Sequence, residues 1–369
     1  MRRRSRGLRV GFDGRLAMGS TRGMGRFLRN LIAGREQELI GLCAPGESDA
    51  DFRLEAGGFQ LYPLWEQFSL PALARKLNLQ VLICPYNTAP LRLPAGIRLV
   101  LVVHDLIFLD GQGGGSREVS LYQRLGRMYR RAVVPRVIER ADEIIAVSEY
   151  TADRIQEHFQ IRPGRVRVIP NTLSVDWYEA PAPVTSREPY VLCVSGEAPH
   201  KNLAAGIEAF AECNQPGRPG CHGLKVVGVS PQFHGYYQEL ARQLGIGGLV
   251  ELLPRVSDAA LMRLYREAAL FLFPSISEGF GIPALEAMAS GTPVVASQST
   301  SLPEVCGSAA LYFNPRSVED MASALHSAMT DPSLRQEMSR LGLEQARKYH
   351  PALVAGPIQA FWRDLNEEQ

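Results

Sequence analysis

The sequence predicts an α/β protein of two doubly wound units, and three observations carry that prediction. Its 369 residues are about two to three times the usual domain length, and 46% of them are apolar, enough for two cores. Short runs of Val, Ile and Leu alternate with longer helical stretches, and the runs are continuous rather than alternating. That pattern suits parallel strands covered on both faces. A proline-bearing stretch, Asp176 to Pro189, breaks the rhythm, which then restarts.

Taken in order, the first half offers strands at 8–13, 38–43, 59–64, 81–85, 98–104, 143–147 and 166–169. The longest apolar run among them, Leu99 to Val103, stops at His104-Asp105. Helices are expected between them at 24–34, 69–77, 118–140 and 149–159, with Pro135 expected to kink the third. The break at 176–189 holds Pro181, Pro183 and Pro189 and reads as a linker. Beyond it, strands at 190–195, 224–229, 250–253, 270–273, 293–296 and 310–313 alternate with helices. Those helices are expected at 202–213, 236–244, 257–267, 282–290, 317–329, 332–348 and about 354–367. The domains are therefore 1–178 and 186–349. Ligands of such sheets sit at the carboxyl ends of the strands, so a cleft between the two domains is the expected site. Gly111 to Ser116 is a short flexible loop.

Composition excludes several classes. A net charge of +2 argues against a nucleic-acid binder, but residues 1–180 carry +7 and the remainder −5. A basic half suggests a domain that faces something anionic. Six cysteines, at 43, 84, 193, 213, 221 and 306, form no C-x-x-C pair and read as buried thiols of a cytosolic protein. The start, Met1-Arg2-Arg3-Arg4-Ser5-Arg6, has the charge of a signal peptide, but no apolar core follows. No stretch reaches the ~18 apolar residues needed to span a bilayer. Asp49-Ala50-Asp51 is formally a D-x-D metal motif, but it stands in a polar loop far from any phosphate motif, so no metal site is expected.

The chemistry concentrates at 270–297. A buried strand ends at Pro274, a loop with Gly279 and Gly281 follows, and a helix starts with Pro283 in its first turn, where the missing N–H costs nothing. The glycines admit close approach of a ligand. Free N–H groups at the helix start favour an anion, with roughly +0.5 charge from the helix dipole. Glu278 in the loop and Glu286 on the helix flank that anion site. A phosphate between two sets of hydroxyls, as in a nucleotide sugar, suits the arrangement.

This segment resembles the E-x7-E signature of the retaining glycosyltransferases of family 4, which have the GT-B architecture of two Rossmann-like domains facing a cleft. Other segments resemble the family's motifs in order. They are Gly23-Met24-Gly25-Arg26-Phe27, Val103-His104-Asp105, Val147-Ser148-Glu149-Tyr150-Thr151, Val168-Ile169-Pro170-Asn171, Pro199-His200-Lys201-Asn202, Val256-Ser257-Asp258 and Leu302-Pro303-Glu304-Val305. The likeness spans nearly the whole chain. It implies that a C-terminal helix of about 350–369, with Phe361 and Trp362, returns to the first domain.

The resemblance implies catalytic roles for His104, Lys201 and Glu278. Lys201 would hold the diphosphate, Glu278 the transferred sugar, Glu286 the ribose hydroxyls, and His104 the sugar from the other domain. Donor binding would also involve Gly23, Gly25, Gly196, Arg255, Val256, Gly279, Phe280, Gly281 and Ile282. One departure stands out. Many relatives carry a second clamp arginine near Ser195-Gly196-Glu197-Ala198, and none is present; Arg255 and Arg26 are the open substitutes. The resemblance implies no metal and no cofactor, the nucleotide sugar being a substrate. The expected reaction moves a hexose, mannose from GDP-mannose, onto a glycan or lipid-linked acceptor in surface polysaccharide biosynthesis. A UDP-hexose or dTDP-rhamnose donor and a noncatalytic nucleotide-sugar-binding relative remain open. Arg124, Arg127, Arg130, Arg131, Arg136 and Arg140 share one helical stretch; they are either a solvated face or a surface for anionic lipid. The expected location is cytoplasmic, peripheral at the inner face of the membrane.

Overall fold

A computed structural model describes residues 8–15, 23–47, 51–109, 121–178, 187–214 and 223–367. The chain divides into two compact units. One runs up to Asn171 and regains the chain from Val354, and Thr172–Leu353 forms the other. The N-terminal arginines, Asp49, Ala50, the Gly111–Ser116 run, linker residues 179–186 and Cys221 lie outside the described residues.

The first unit is a parallel sheet of β1 (Val10–Asp13), β2 (Ile40–Cys43), β3 (Leu54–Ala56), β4 (Val81–Cys84), β5 (Arg98–Val103), β6 (Glu143–Ala146) and β7 (Val166–Val168). Its order is β3-β2-β1-β4-β5-β6-β7. Phe12 pairs with Gly41 on one side and Ile83 on the other. Leu82, Leu101, Val102 and Ile145 are fully buried, as continuous apolar runs covered on both faces must be. Helices α1 (Met24–Ile32), α2 (Tyr62–Leu64), α3 (Leu70–Lys76), α4 (Leu121–Arg140) and α5 (Glu149–Phe159) connect the strands. The Ser148 hydroxyl caps α5 by accepting the Thr151 N–H.

One local expectation fails here. The run 59–64 is not a strand, because Pro63 opens α2 from its first turn, and the third strand is Leu54–Ala56 instead. Farther along, Pro71 has no N–H for the carbonyl of Gln67. The chain answers with a π-helical turn over Trp65–Ser69, in which the Leu70 N–H reaches the Trp65 carbonyl. Pro135 lies inside α4, which continues through it.

The second unit is a parallel sheet of β8 (Glu188–Val194), β9 (Gly223–Val227), β10 (Val250–Leu253), β11 (Ala268–Phe273), β12 (Val294–Ser297) and β13 (Ala310–Phe313). Its order is β10-β9-β8-β11-β12-β13. The helices are α6 (Leu203–Cys213), α7 (His234–Gln243), α8 (Asp258–Glu267), α9 (Ile282–Ala289), α10 (Leu302–Cys306), α11 (Val318–Thr330) and α12 (Pro332–Arg347); α13 (Pro351–Glu367) follows and belongs to the first unit from Val354. Ser257, Ser317 and Asp331 cap α8, α11 and α12 through their side chains. In both sheets the order reverses beside the first strand, between β1 and β4 and between β8 and β11. Such a reversal opens a crevice at the carboxyl edge.

Helix α13 packs on the first unit from Val354 onward. The Trp362 indole donates to the Leu31 carbonyl at 2.8 Å, and Arg167 pairs with Asp364 at 2.8 Å. Phe361 is fully buried and Trp362 nearly so. Cys43, Cys84, Cys193, Cys213 and Cys306 are buried free thiols, and burial pushes Cys193 up to about 12. Among the described residues no helix is long and apolar enough to cross a membrane.

Truncating Trp362 deletes a buried ring and a hydrogen bond. Trp362→Ala is expected to cost about 3–5 kcal/mol in urea-induced unfolding. A loss below about 1 kcal/mol would show that α13 does not hold the first unit together.

Candidate functional site

At the reversal of the second unit, the chain leaving β8 meets the chain leaving β11. Lys201 ends a short helical turn, Pro199–Lys201, and Asn202 follows in the left-handed region at φ +56°. The Asn202 amide holds that turn by donating to the carbonyls of Pro274 (3.1 Å) and Pro315 (2.8 Å). The Ile276 N–H donates to the His200 carbonyl at 2.7 Å, which joins the two loops. Lys201 and Glu278 are thereby in direct contact, Nζ to Oε1 at 2.6 Å, with their side chains 25% and 11% exposed.

Behind this pair, Gly281 starts α9 at φ +103°. A Cβ there would stand 2.5 Å from Leu302 Cδ2, so space and backbone both require glycine. The first-turn N–H of Ile282 has no partner within the helix, and Pro283 has none to satisfy. Phe280 is buried against Tyr349, ring centroids 5.3 Å apart. Glu286 is 5% exposed and accepts the Tyr265 hydroxyl at 3.1 Å, so it is no solvated helix residue.

The other expected donor residues are more scattered. Gly196 follows β8 with open space where a Cβ would stand. Arg255 is exposed and Val256 half-buried in the loop after β10. At the stretch lacking the clamp arginine, Glu197 accepts the Ser230 hydroxyl at 3.0 Å. Gly23 precedes α1 at φ +53°, Gly25 is buried in its first turn, and Arg26 follows on the same helix; these three belong to the first unit. Asp51 pairs with Arg29 at 2.9 Å. Among the described residues no group of three or more His, Cys, Asp or Glu side chains is placed to hold a metal ion.

Several residues of the site carry no motif. Thr300, at φ +55°, accepts the Glu278 N–H at 3.0 Å, and the Ser301 hydroxyl donates to the carbonyls of Glu278 and Phe280 at 3.0 Å each. They fix the loop that carries Glu278. Arg187 is a half-buried cation that donates to the carbonyls of Tyr265, Arg266, Ala268 and Ser290, and burial lowers it to about 10. The only sequence signal for the first pair is the run Ser299-Thr300-Ser301 just after a buried strand.

In the first unit, His104 follows β5. The residue is 9% exposed, and its ring lies edge-on to Phe27 and hydrogen-bonds the Pro85 carbonyl through Nε2 at 2.8 Å. Burial lowers its pKa to about 4, so the ring is neutral at pH 7. Two carboxylates absent from the motifs stand nearby in the fold. Asp13 ends β1 and accepts the Trp65 indole N–H at 3.4 Å. Glu66, on the π turn, is fully buried, and burial raises it above the usual carboxylate range. Burial also pushes Asp13 up to about 7; the Arg15 N–H opposes this and the Glu66 charge adds to it.

Residues 23–177 match the family model described as Glycosyltransferase Family 4, and residues 179–345 the model described as Glycosyl transferases group 1. The chain is 30% identical over 243 residues to the serotype-specific mannosyltransferase WbdA of Escherichia coli, covering 63% of this chain and 30% of that protein. It thus spans about 30% of the length of that relative. The structure of WaaG, a glycosyltransferase of lipopolysaccharide biosynthesis, superimposes with a TM-score of 0.72 at 20% identity, over 95% of this chain and 98% of the other. Anabaena HepE in complex with UDP-glucose also gives 0.72, at 15% identity, over 97% and 100%. Both show the GT-B fold.

The Asp13 shift has a sign that can be tested. The unfolded chain ionises Asp13 near 3.8 and the folded chain only near 7. Between these values the folded state binds more protons, so stability contributed by Asp13 is complete below about pH 4 and is lost as pH rises to about 7. The loss is on the order of 4 kcal/mol. Asp13→Asn is expected to abolish it, so that the variant gains on the wild type in denaturation between pH 4 and pH 8. Parallel stability profiles of the two proteins would contradict the assignment.

Proposed function

The chain belongs to the glycosyltransferases, to family 4 by residues 23–177 and to group 1 by residues 179–345, and from that premise we propose that it transfers a hexose from a nucleotide sugar to a hydroxyl of a glycan or lipid-linked acceptor in polysaccharide biosynthesis. The donor is GDP-mannose in this proposal, on the strength of the mannosyltransferase relative. A UDP-hexose is the second reading, favoured by the structural neighbour that holds UDP-glucose.

The observation that carries the proposal is the Lys201–Glu278 pair at the strand-order reversal, beside the first turn of α9. The lysine and the helix-start N–H groups supply positive charge where a leaving diphosphate gains negative charge. Glu278 is the counter-ion of Lys201. The arriving diphosphate takes over the ammonium, and the carboxylate turns to the hydroxyls of the sugar. The bond from the anomeric carbon to the diphosphate then breaks while the acceptor oxygen bonds the same face. Because the new bond forms on the face the old one leaves, the configuration is retained, and the acceptor's proton passes to the leaving phosphate. Glu286, held by Tyr265, receives the ribose hydroxyls, and no metal or other cofactor takes part.

A peripheral membrane contact completes the proposal. On α4, Leu125 and Met128 are 57% and 66% exposed among the exposed Arg124, Arg131 and Arg136. Phe59, Leu61 and Phe68 are exposed on the neighbouring segment, which Gln67 joins to α4 through the Tyr129 hydroxyl at 2.8 Å. Apolar side chains ringed by arginines suit an anionic lipid surface.

Lys201→Ala is expected to lower kcat for sugar transfer on the order of 10²–10³-fold, with turnover of the wild type unchanged by EDTA. Near-normal turnover of the variant would remove Lys201 from this role. In sedimentation with phosphatidylglycerol vesicles, Arg124→Gln combined with Arg131→Gln is expected to weaken binding roughly 30-fold, at about 1 kcal/mol per arginine. A wild type that ignores these vesicles would contradict the lipid contact.

A further inference from the structure

In the first unit the chain leaving β4 toward β5 starts at the strand-order reversal between β1 and β4. That chain, Pro85–Leu91, has no regular ladder of its own, yet Asn87 and Thr88 are only 5% and 4% exposed. Asn87 stands in the left-handed region at φ +66°. A buried irregular segment needs partners for its polar groups.

The π turn supplies them from one side. Glu66 accepts the hydroxyls of Tyr62 at 2.9 Å, Thr88 and Tyr129, and the Gln67 amide at 3.0 Å. Gln67 also donates to the Ala89 carbonyl at 3.2 Å and accepts the Leu91 N–H at 2.8 Å. Three points of the segment, Thr88, Ala89 and Leu91, are held by two adjacent side chains. The other side of the same segment faces His104. The Asn87 side chain accepts the His104 backbone N–H at 2.6 Å and donates to the Asp105 carbonyl at 3.4 Å. The Pro85 carbonyl bonds the ring at Nε2. A carbonyl only accepts, so Nε2 carries the proton and Nδ1 the lone pair.

We propose that Glu66 and Gln67 are positioning residues for His104: they hold Pro85–Leu91 as a rigid shelf that fixes the imidazole in its Nε2–H tautomer, with Nδ1 left to accept a hydrogen bond from a hydroxyl. That this hydroxyl belongs to a sugar rests on the proposed function; the shelf itself does not. Stability alone does not explain the arrangement, because apolar side chains fill a core as well as a buried carboxylate with four donors does. Apolar side chains cannot grip three separate backbone and side-chain points of an irregular segment. The π turn points the same way. It adds a residue to the turn, so that Trp65 and Glu66 face the core while adjacent Gln67 still reaches Ala89 and Leu91. Such turns often mark functional sites.

The test reads the ring nitrogens of His104 by NMR, alongside turnover, in Thr88→Val, Gln67→Leu and Thr88→Ser. The first two cut separate links between the π turn and the shelf, so one failing to fold leaves the other. In the wild type the ring is expected in the pure Nε2–H form. In Thr88→Val and Gln67→Leu it becomes a mixture of tautomers, and kcat falls by up to about 10²-fold with donor KM within about twofold. Thr88→Ser, which keeps the hydroxyl, restores both. Folded Thr88→Val and Gln67→Leu proteins with wild-type ring signals would overturn the proposal. The ring signal needs no turnover, so absence of sugar transfer would count against the proposed function and leave this test intact.

Discussion

Parallel strands cannot be joined by tight turns, so every connection returns over a face of the sheet, and the carboxyl edge is left to loops. Where the strand order reverses, neighbouring loops part to opposite faces and leave a gap that no helix covers. This constraint acts twice in the chain. At the second reversal it brings Lys201 onto Glu278. At the first it brings Asp13, Glu66 and the Pro85–Leu91 segment together. The side chains with chemistry to offer stand there because those are the places the cores do not close.

The two gaps hold charge differently. In the second unit a lysine and a glutamate are partly open to water, so their mutual attraction is screened and an arriving anion can exchange for the carboxylate. In the first unit Glu66 is out of water altogether and is satisfied by fixed hydroxyl and amide donors. Exchange there would strand a buried carboxylate. The first arrangement suits binding and release. The second suits holding a shape, as scaffolding for His104 requires.

The parts of the site that backbone geometry dictates are legible in the sequence. Gly281 must be glycine, Pro283 must sit in a first turn, and buried runs must flank them, so the 270–297 segment can be read without coordinates. The helix at Glu149–Phe159 and the strand at Ala310–Phe313 fall where apolar pattern and capping residues put them. Residues acting across long sequence separations are not legible. Thr300 and Ser301 serve the Glu278 loop, and Tyr265 serves Glu286, with no spacing rule to announce them. The π turn escapes a reading of the sequence for a related reason. The run 59–64 is apolar enough to pass for a buried strand, and only Pro63 and Pro71 together show that a distorted helix is the better solution. Glu66 lies just beyond that run, and no local pattern points from it to Thr88 or Tyr129.

Calorimetric titration of GDP into the wild type and Lys201→Ala addresses the central claim most directly, because it reports diphosphate binding without needing the acceptor. A diphosphate held by Lys201 predicts a measurable heat for the wild type and a loss of affinity of at least about tenfold in the variant, the scale of one charge-assisted contact. Equal affinities in the two proteins would contradict it, since the diphosphate would then be held somewhere other than the gap between β8 and β11.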